Sequence, residues 1–76
     1  MKYYVIIRNL TGSHNTRYRK IVAKTFDQAV ILTKAECHEF FKKENLDFVD
    51  NDDMTHSVYC NGEHIAEFDI QANRGD

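Results

Sequence analysis

Cys37, His38, His56, Cys60 and His64 are the residues whose types could hold a metal or form a covalent intermediate. Zinc sites draw Cys and His at short paired spacings. Here the residues are scattered, with His14 further off. Cys37 and His38 are adjacent in a helical stretch and point to different helix faces. Cys60 and His64 fall on opposite faces of a hairpin. A Cys–His nucleophile pair must also meet in space, with a third group orienting the base. His56 and Cys60 stand four apart on one extended strand, too far for a direct hydrogen bond. The spacing therefore points to no catalytic residue, no metal and no cofactor. Cys37 reads as a small buried hydrophobe. Two cysteines allow at most one bridge, whereas disulfide frameworks carry four or more, so both are expected as reduced thiols.

Asp50, Asp52 and Asp53 cluster, but no glycine-containing calcium-loop pattern surrounds them. They read as a solvated acidic loop or as a secondary contact for a basic partner. Thr11-Gly12-Ser13 lacks the lysine and second glycine of a phosphate loop. What remains is the stretch RNLTGSHNTRYRK, residues 8–20, which holds Arg8, His14, Arg17, Arg19 and Lys20 and no acid. Cations neutralise phosphates, and an interleaved aromatic such as Tyr18 can stack on bases. Strand alternation sends Arg17 and Arg19 to one face and Tyr18 and Lys20 to the other. These charges therefore cannot form a single flat patch unless the strand twists or the tip folds back. The candidate partner-binding residues are Arg8, His14, Arg17, Tyr18, Arg19 and Lys20; the bland alternative is a solvated hairpin.

Positioning these residues takes few elements. KYYVIIR (2–8) is a β-branched and aromatic strand with apolar residues on both faces. RYRKIVAK (17–24) is a mixed, partly exposed strand, and the turn-rich NLTGSHNT between them makes the pair an antiparallel hairpin with a long tip. Residues 25–45 form the clearest helix. Thr25 and Gln28 suit a capping box, and Asn45 suits the C-terminal cap. Phe26, Ala29, Val30, Thr33, Cys37, Phe40 and Phe41 line one stripe. Residues 46–54 read as an acidic connector. Asn61-Gly62 marks a second hairpin over 55–71, pairing Val58 with Ile65. The expected fold is α+β: a four-stranded antiparallel sheet with one helix on one face, two-layer, in the order ββαββ. The bare face would expose Val58, Ile65, Tyr4 and Ile6, an apolar patch that either marks an interface or a homodimer contact or is covered by a loop or the C-terminal tail.

The chain has 76 residues, so residues 1–76 are read as a single domain with a thin core. Its formal net charge of −2 conceals a split. Residues 1–25 carry six cations and no acid, while residues 26–76 carry four cations against all twelve acids, a net of −8. Such a division predicts a polarised surface. The first apolar run is too short for a membrane span and lacks the features of a signal peptide. A complete, soluble cytoplasmic protein with no membrane partner is expected.

A Met-Lys start runs into a Tyr/Ile strand, a charged second strand ends in AKTFDQAVILTKAEC, and a hairpin closes the chain. In this pattern the sequence resembles small phage-encoded anti-CRISPR proteins that inhibit type I systems, some of which pack a sheet on one helix. The resemblance implies a non-enzymatic inhibitor in the host cell cytoplasm. It would bind the CRISPR surveillance complex and block DNA recognition or nuclease recruitment. Many such proteins are strongly acidic DNA mimics, a pattern that the basic first third of this chain does not follow. The partner implied is a host protein or nucleoprotein complex. The alternative is a small regulator that binds DNA or RNA through the basic hairpin.

Overall fold

The computed structural model describes residues 1–12, 15–51, 53 and 55–72. Strands β1 (Lys2–Asn9) and β2 (Thr16–Val22) precede the helix α1 (Phe26–Phe41). Strands β3 (Asp47–Asp50), β4 (Thr55–Cys60) and β5 (Glu63–Ala72) follow it. They form one sheet of five strands in the order β2-β1-β5-β4-β3, antiparallel at every pairing. The helix thus carries the chain from the β2 edge to the β3 edge.

The fold is α+β with one helix, but the sheet has five strands rather than four. The added strand is the stretch read as an acidic connector. Phe48 pairs with Val58 and Asp50 with His56, so Phe48 turns toward the helix, while Val49, opposite Ser57, turns away. A four-residue strand flanked by aspartates gives a weak periodic signal. It also makes a suitable sheet edge, since short charged edges resist pairing with other chains.

Strand β5 is central and alternates from Ala66 onward. Ala66, Phe68 and Ile70 are buried, and Glu67, Asp69 and Gln71 lie on the other face. Its register places Phe68 between Ile7 and His56, and Ile70 beside Val5. Tyr3, Val5, Ile7, Val58, Ala29 and Cys37 complete the core. Burying a large apolar side chain contributes about 1.5–3 kcal/mol.

In the second hairpin Asn61 and Gly62 have φ of 52° and 82°. This double positive φ is what a two-residue hairpin turn with the sheet's own twist requires. Tyr59 pairs with His64 as expected, but Val58 pairs with Ala66 rather than Ile65. Ile65 is the extra residue of a bulge. The bulge lets Val58 and Ile65 both be buried, at 0% and 5% exposure, where simple alternation would leave them on the bare face.

The helix begins as its sequence dictates: the Thr25 hydroxyl accepts from the Gln28 amide at 3.1 Å. Gln28 returns one residue further back than a capping box would, accepting from the Lys24 amide at 2.7 Å. The C-terminus falls four residues before Asn45. Lys42 takes the left-handed conformation at φ 55° and caps the helix there. Its buried face is Ala29, Thr33 and Cys37; the Thr33 hydroxyl donates to the Ala29 carbonyl at 2.8 Å, so the polar group is satisfied without leaving the helix. No described helix is long and apolar enough to cross a membrane.

Candidate functional site

Strand alternation divides the basic hairpin as its sequence predicts, and the structure decides which half the helix covers. Arg17 pairs with Ile7 and Arg19 with Val5, both core residues, so the two arginines stand on the helix side. There Arg17 Nη1 and Arg19 Nε both donate to Glu36 Oε1 at 2.8 Å. The Arg17 guanidinium also lies 4.4 Å from the centre of the Phe40 ring. These arginines fasten the helix to the edge strand. The hydrogen bond from Arg19, seconded by Arg17, holds the Glu36 carboxyl below its usual range against the opposing effect of burial.

Glu36 was not singled out by sequence reasoning. The signal available was its spacing: it lies three residues after Thr33 and four before Phe40, at the margin of the apolar stripe. An acid there must face a cation or be stranded.

On the opposite face, called here the open face, Tyr4 pairs with Lys20 and Ile6 with Tyr18. These four side chains form a two-by-two quartet. Tyr18 is 68% exposed and Tyr4 45%, and Val22 continues the apolar surface at 70%. Lys20 Nζ lies 5.8 Å from the centre of the Tyr4 ring, held by the attraction of an ammonium for the ring's negative face. Over the two strands the quartet lines a shallow, open apolar hollow of about 370 Å³, lined also by Val5 and Arg19. Arg8 lies on the same face and is engaged by β5, with Nη2 2.9 Å from Asp69 Oδ2 and Nη1 3.9 Å from Glu67 Oε1.

His14 and Asp52 lie outside the described residues. Asp50 is exposed and stands 3.7 Å from His56 Nε2. Asp53 accepts from the Thr55 hydroxyl at 2.6 Å and from its amide at 3.3 Å, and the hydroxyl contact lowers its carboxyl below the ordinary range. These aspartates sit at the β3 end of the sheet, while Tyr18 and Lys20 sit on β2 at the opposite edge. The structure does not bring the two groups together.

Among the described residues no three His, Cys, Asp or Glu side chains are placed to hold a metal ion. Cys37 is fully buried, and burial pushes its thiol up to about 12, which removes it as a nucleophile at neutral pH.

His56 is one of the residues to which the sequence gives no role. It is 6% exposed and stacks on Phe68 at 4.7 Å and 5°. Its Nδ1 is buried without a hydrogen-bond partner among the described residues. An unpaired buried polar atom costs about 1–3 kcal/mol, so His56→Phe, which keeps the stacked ring, should stabilise the fold. The expected result is a melting temperature raised by about 4–8 °C for each kcal/mol recovered, read by thermal circular dichroism. A fall of similar size would mean that the imidazole's polar contacts outweigh its burial.

The fold and its surface thus define a small α+β domain that presents exposed tyrosines and a lysine on the β1–β2 half of one sheet face. The chain matches no family model, no curated protein and no solved structure.

Proposed function

We propose that this is a non-enzymatic binding protein, a phage inhibitor that docks on a host nucleoprotein complex of the CRISPR surveillance type in the host cytoplasm. The docking surface is the β1–β2 half of the open face. The observation that carries this reading is the quartet of Tyr4, Ile6, Tyr18 and Lys20, in which exposed rings, an apolar hollow and a cation occupy one face of two adjacent strands. Contiguous exposed apolar surface of this kind marks interaction sites, and tyrosine is among the residues that most often anchor them. Arg17 and Arg19 serve the fold in this reading, and Tyr18 and Lys20 serve the partner.

The test is affinity capture from cells of the phage's host with tagged wild type and a Tyr18→Glu/Lys20→Glu variant. Both substitutions are on an exposed face, so melting temperatures should agree within a few degrees. The wild type should retain a nucleoprotein complex that the variant loses. Recovery of the same complex by both proteins would remove this face as the docking surface.

A further inference from the structure

The hollow on the open face has an apolar lining against which a flat ring can lie. Ile6 and the backbone at Val5 and Arg19 lie between Tyr4 and Tyr18, since Val5 and Arg19 send their own side chains to the helix side. Tyr4 and Tyr18 are diagonal neighbours across the two strands, about 7–8 Å apart at that register. Adjacent groups on one extended chain can span that distance. Lys20 stands at the rim, its ammonium steered by the Tyr4 ring.

The charge around this hollow is basic on the β1–β2 side, while β5 brings Asp69 directly beside Ile6. Lys2, Arg8 and Lys20 share the face, and Lys24 follows just beyond β2. The acids nearest on the sheet, Glu67 and Asp69, are held by Arg8. The ligand that matches flat apolar rings with a cation beside them carries a planar ring and an anion in each repeat. An acidic peptide would satisfy Lys20 but leave the tyrosine faces against water. A nucleotide strand satisfies both, because every base has a face to stack and a phosphate next to it.

We infer that the quartet is a base-stacking platform for single-stranded nucleic acid, seating a base against Tyr18 while Lys20 meets the neighbouring phosphate. This rests on the docking face proposed above and names what that face touches within the nucleoprotein complex.

The test uses the full chain and fluorescence anisotropy with labelled single strands of RNA and of DNA about 12 nucleotides long, within the ~4–16 nucleotide span of single-strand sites. A duplex of the same length and polyglutamate serve as competitors. The wild type should bind the single strands saturably, with the duplex and polyglutamate competing poorly. Tyr18→Ala should weaken binding about 10- to 100-fold, the range of one lost base–aromatic stack. Lys20→Ala should flatten the dependence of log affinity on log salt by about 0.7, one phosphate's worth. Val49→Ala, exposed at the far edge of the same face, should change neither.

No saturable binding up to about 100 µM protein, the weak end of non-specific affinity, would overturn the inference. So would binding indifferent to Tyr18→Ala, or polyglutamate competing as well as the single strands. Capture from cells, repeated after nuclease treatment, separates this inference from the reading beneath it. Loss of the complex on nuclease treatment supports the stacking platform. A complex that survives nuclease yet is still lost by Tyr18→Glu/Lys20→Glu keeps the docking face and removes nucleic acid as its ligand.

Discussion

Glu36→Lys should destabilise the protein by about 2–3 kcal/mol, counting two hydrogen bonds to a charged group at about 1.5 kcal/mol each and discounting the bond from Arg19, whose side chain is 48% exposed, for solvent screening. In a domain of this size that is a drop of roughly 10–20 °C in melting temperature. The wild-type carboxylate receives hydrogen bonds from two guanidinium groups, both 2.8 Å from the same oxygen, with a side chain only 20% exposed. A lysine there removes both bonds and sets a third cation against two. Arg17→Ala should cost more than Arg19→Ala, because Arg17 also covers the Phe40 ring, a contact worth about 0.5–1 kcal/mol at a partly exposed site.

Reversing the pair tests the assignment. Arg17→Glu in the Glu36→Lys background should recover part of the loss, a non-additivity that only groups in direct contact show. Strict additivity in thermal melts would mean the clamp contributes nothing to holding the helix on β2. Acid titration gives a second measure with a definite sign. The folded carboxyl titrates below its ordinary value of 4.5 because Arg19 and Arg17 stabilise its charged form. Its contribution is therefore fully present above that ordinary value. It is lost as pH falls below 4.5 and through the lowered folded value. Wild type should lose stability across that window, and Glu36→Gln should lose less there.

The contrast between this clamp and the NG turn explains what could be read from residues alone. Asn61-Gly62 is a local signal: two neighbours that tolerate positive φ specify their own turn. Strand alternation is local too, so the separation of Arg17 and Arg19 from Tyr18 and Lys20 was legible before any fold was known. Which of those faces the helix would cover was not. That depends on Glu36, which lies 19 and 17 residues from its arginines, and on the stripe of Ala29, Thr33 and Cys37 finding β1 and β5. The bulge at Ile65 escaped for the same reason. No turn residue announces it; it is set by the gain from burying Val58 and Ile65 together. The fifth strand escaped because two of its four residues are aspartates, and acids in so short a segment mimic a loop. In the candidate site the tyrosine and lysine were visible by type, but the quartet needed the pairing of β1 with β2 in register.

Phe68→Ala is the substitution with the largest expected cost, about 3–5 kcal/mol for a fully buried phenylalanine truncated to alanine. Phe68 is 0% exposed, stacks flat on His56 and meets Phe48 edge-on at 6.3 Å. Truncation opens a cavity between β4, β5 and β3 and uncovers the imidazole whose Nδ1 has no partner among the described residues. At about 0.05–0.15 kcal/mol per residue, a folded domain of 76 residues holds about 4–11 kcal/mol, so the loss takes between about a quarter and the whole of the stability. A urea melt should show the variant unfolded or its midpoint lowered by at least about a quarter, while Phe68→Leu, which fills most of the space, should retain a cooperative transition. The neighbouring residues of β5 make this a test of more than packing. Glu67 and Asp69 alternate with Phe68 onto the open face and hold Arg8 beside the quartet, so one strand supports the core below and the charged face above. Phe68→Leu should therefore lower stability and leave partner capture intact once the protein is folded. Tyr18→Glu/Lys20→Glu should do the reverse, abolishing capture at nearly unchanged stability. If stability and capture instead fell together in both variants, the open face would be a structural surface and not a docking one.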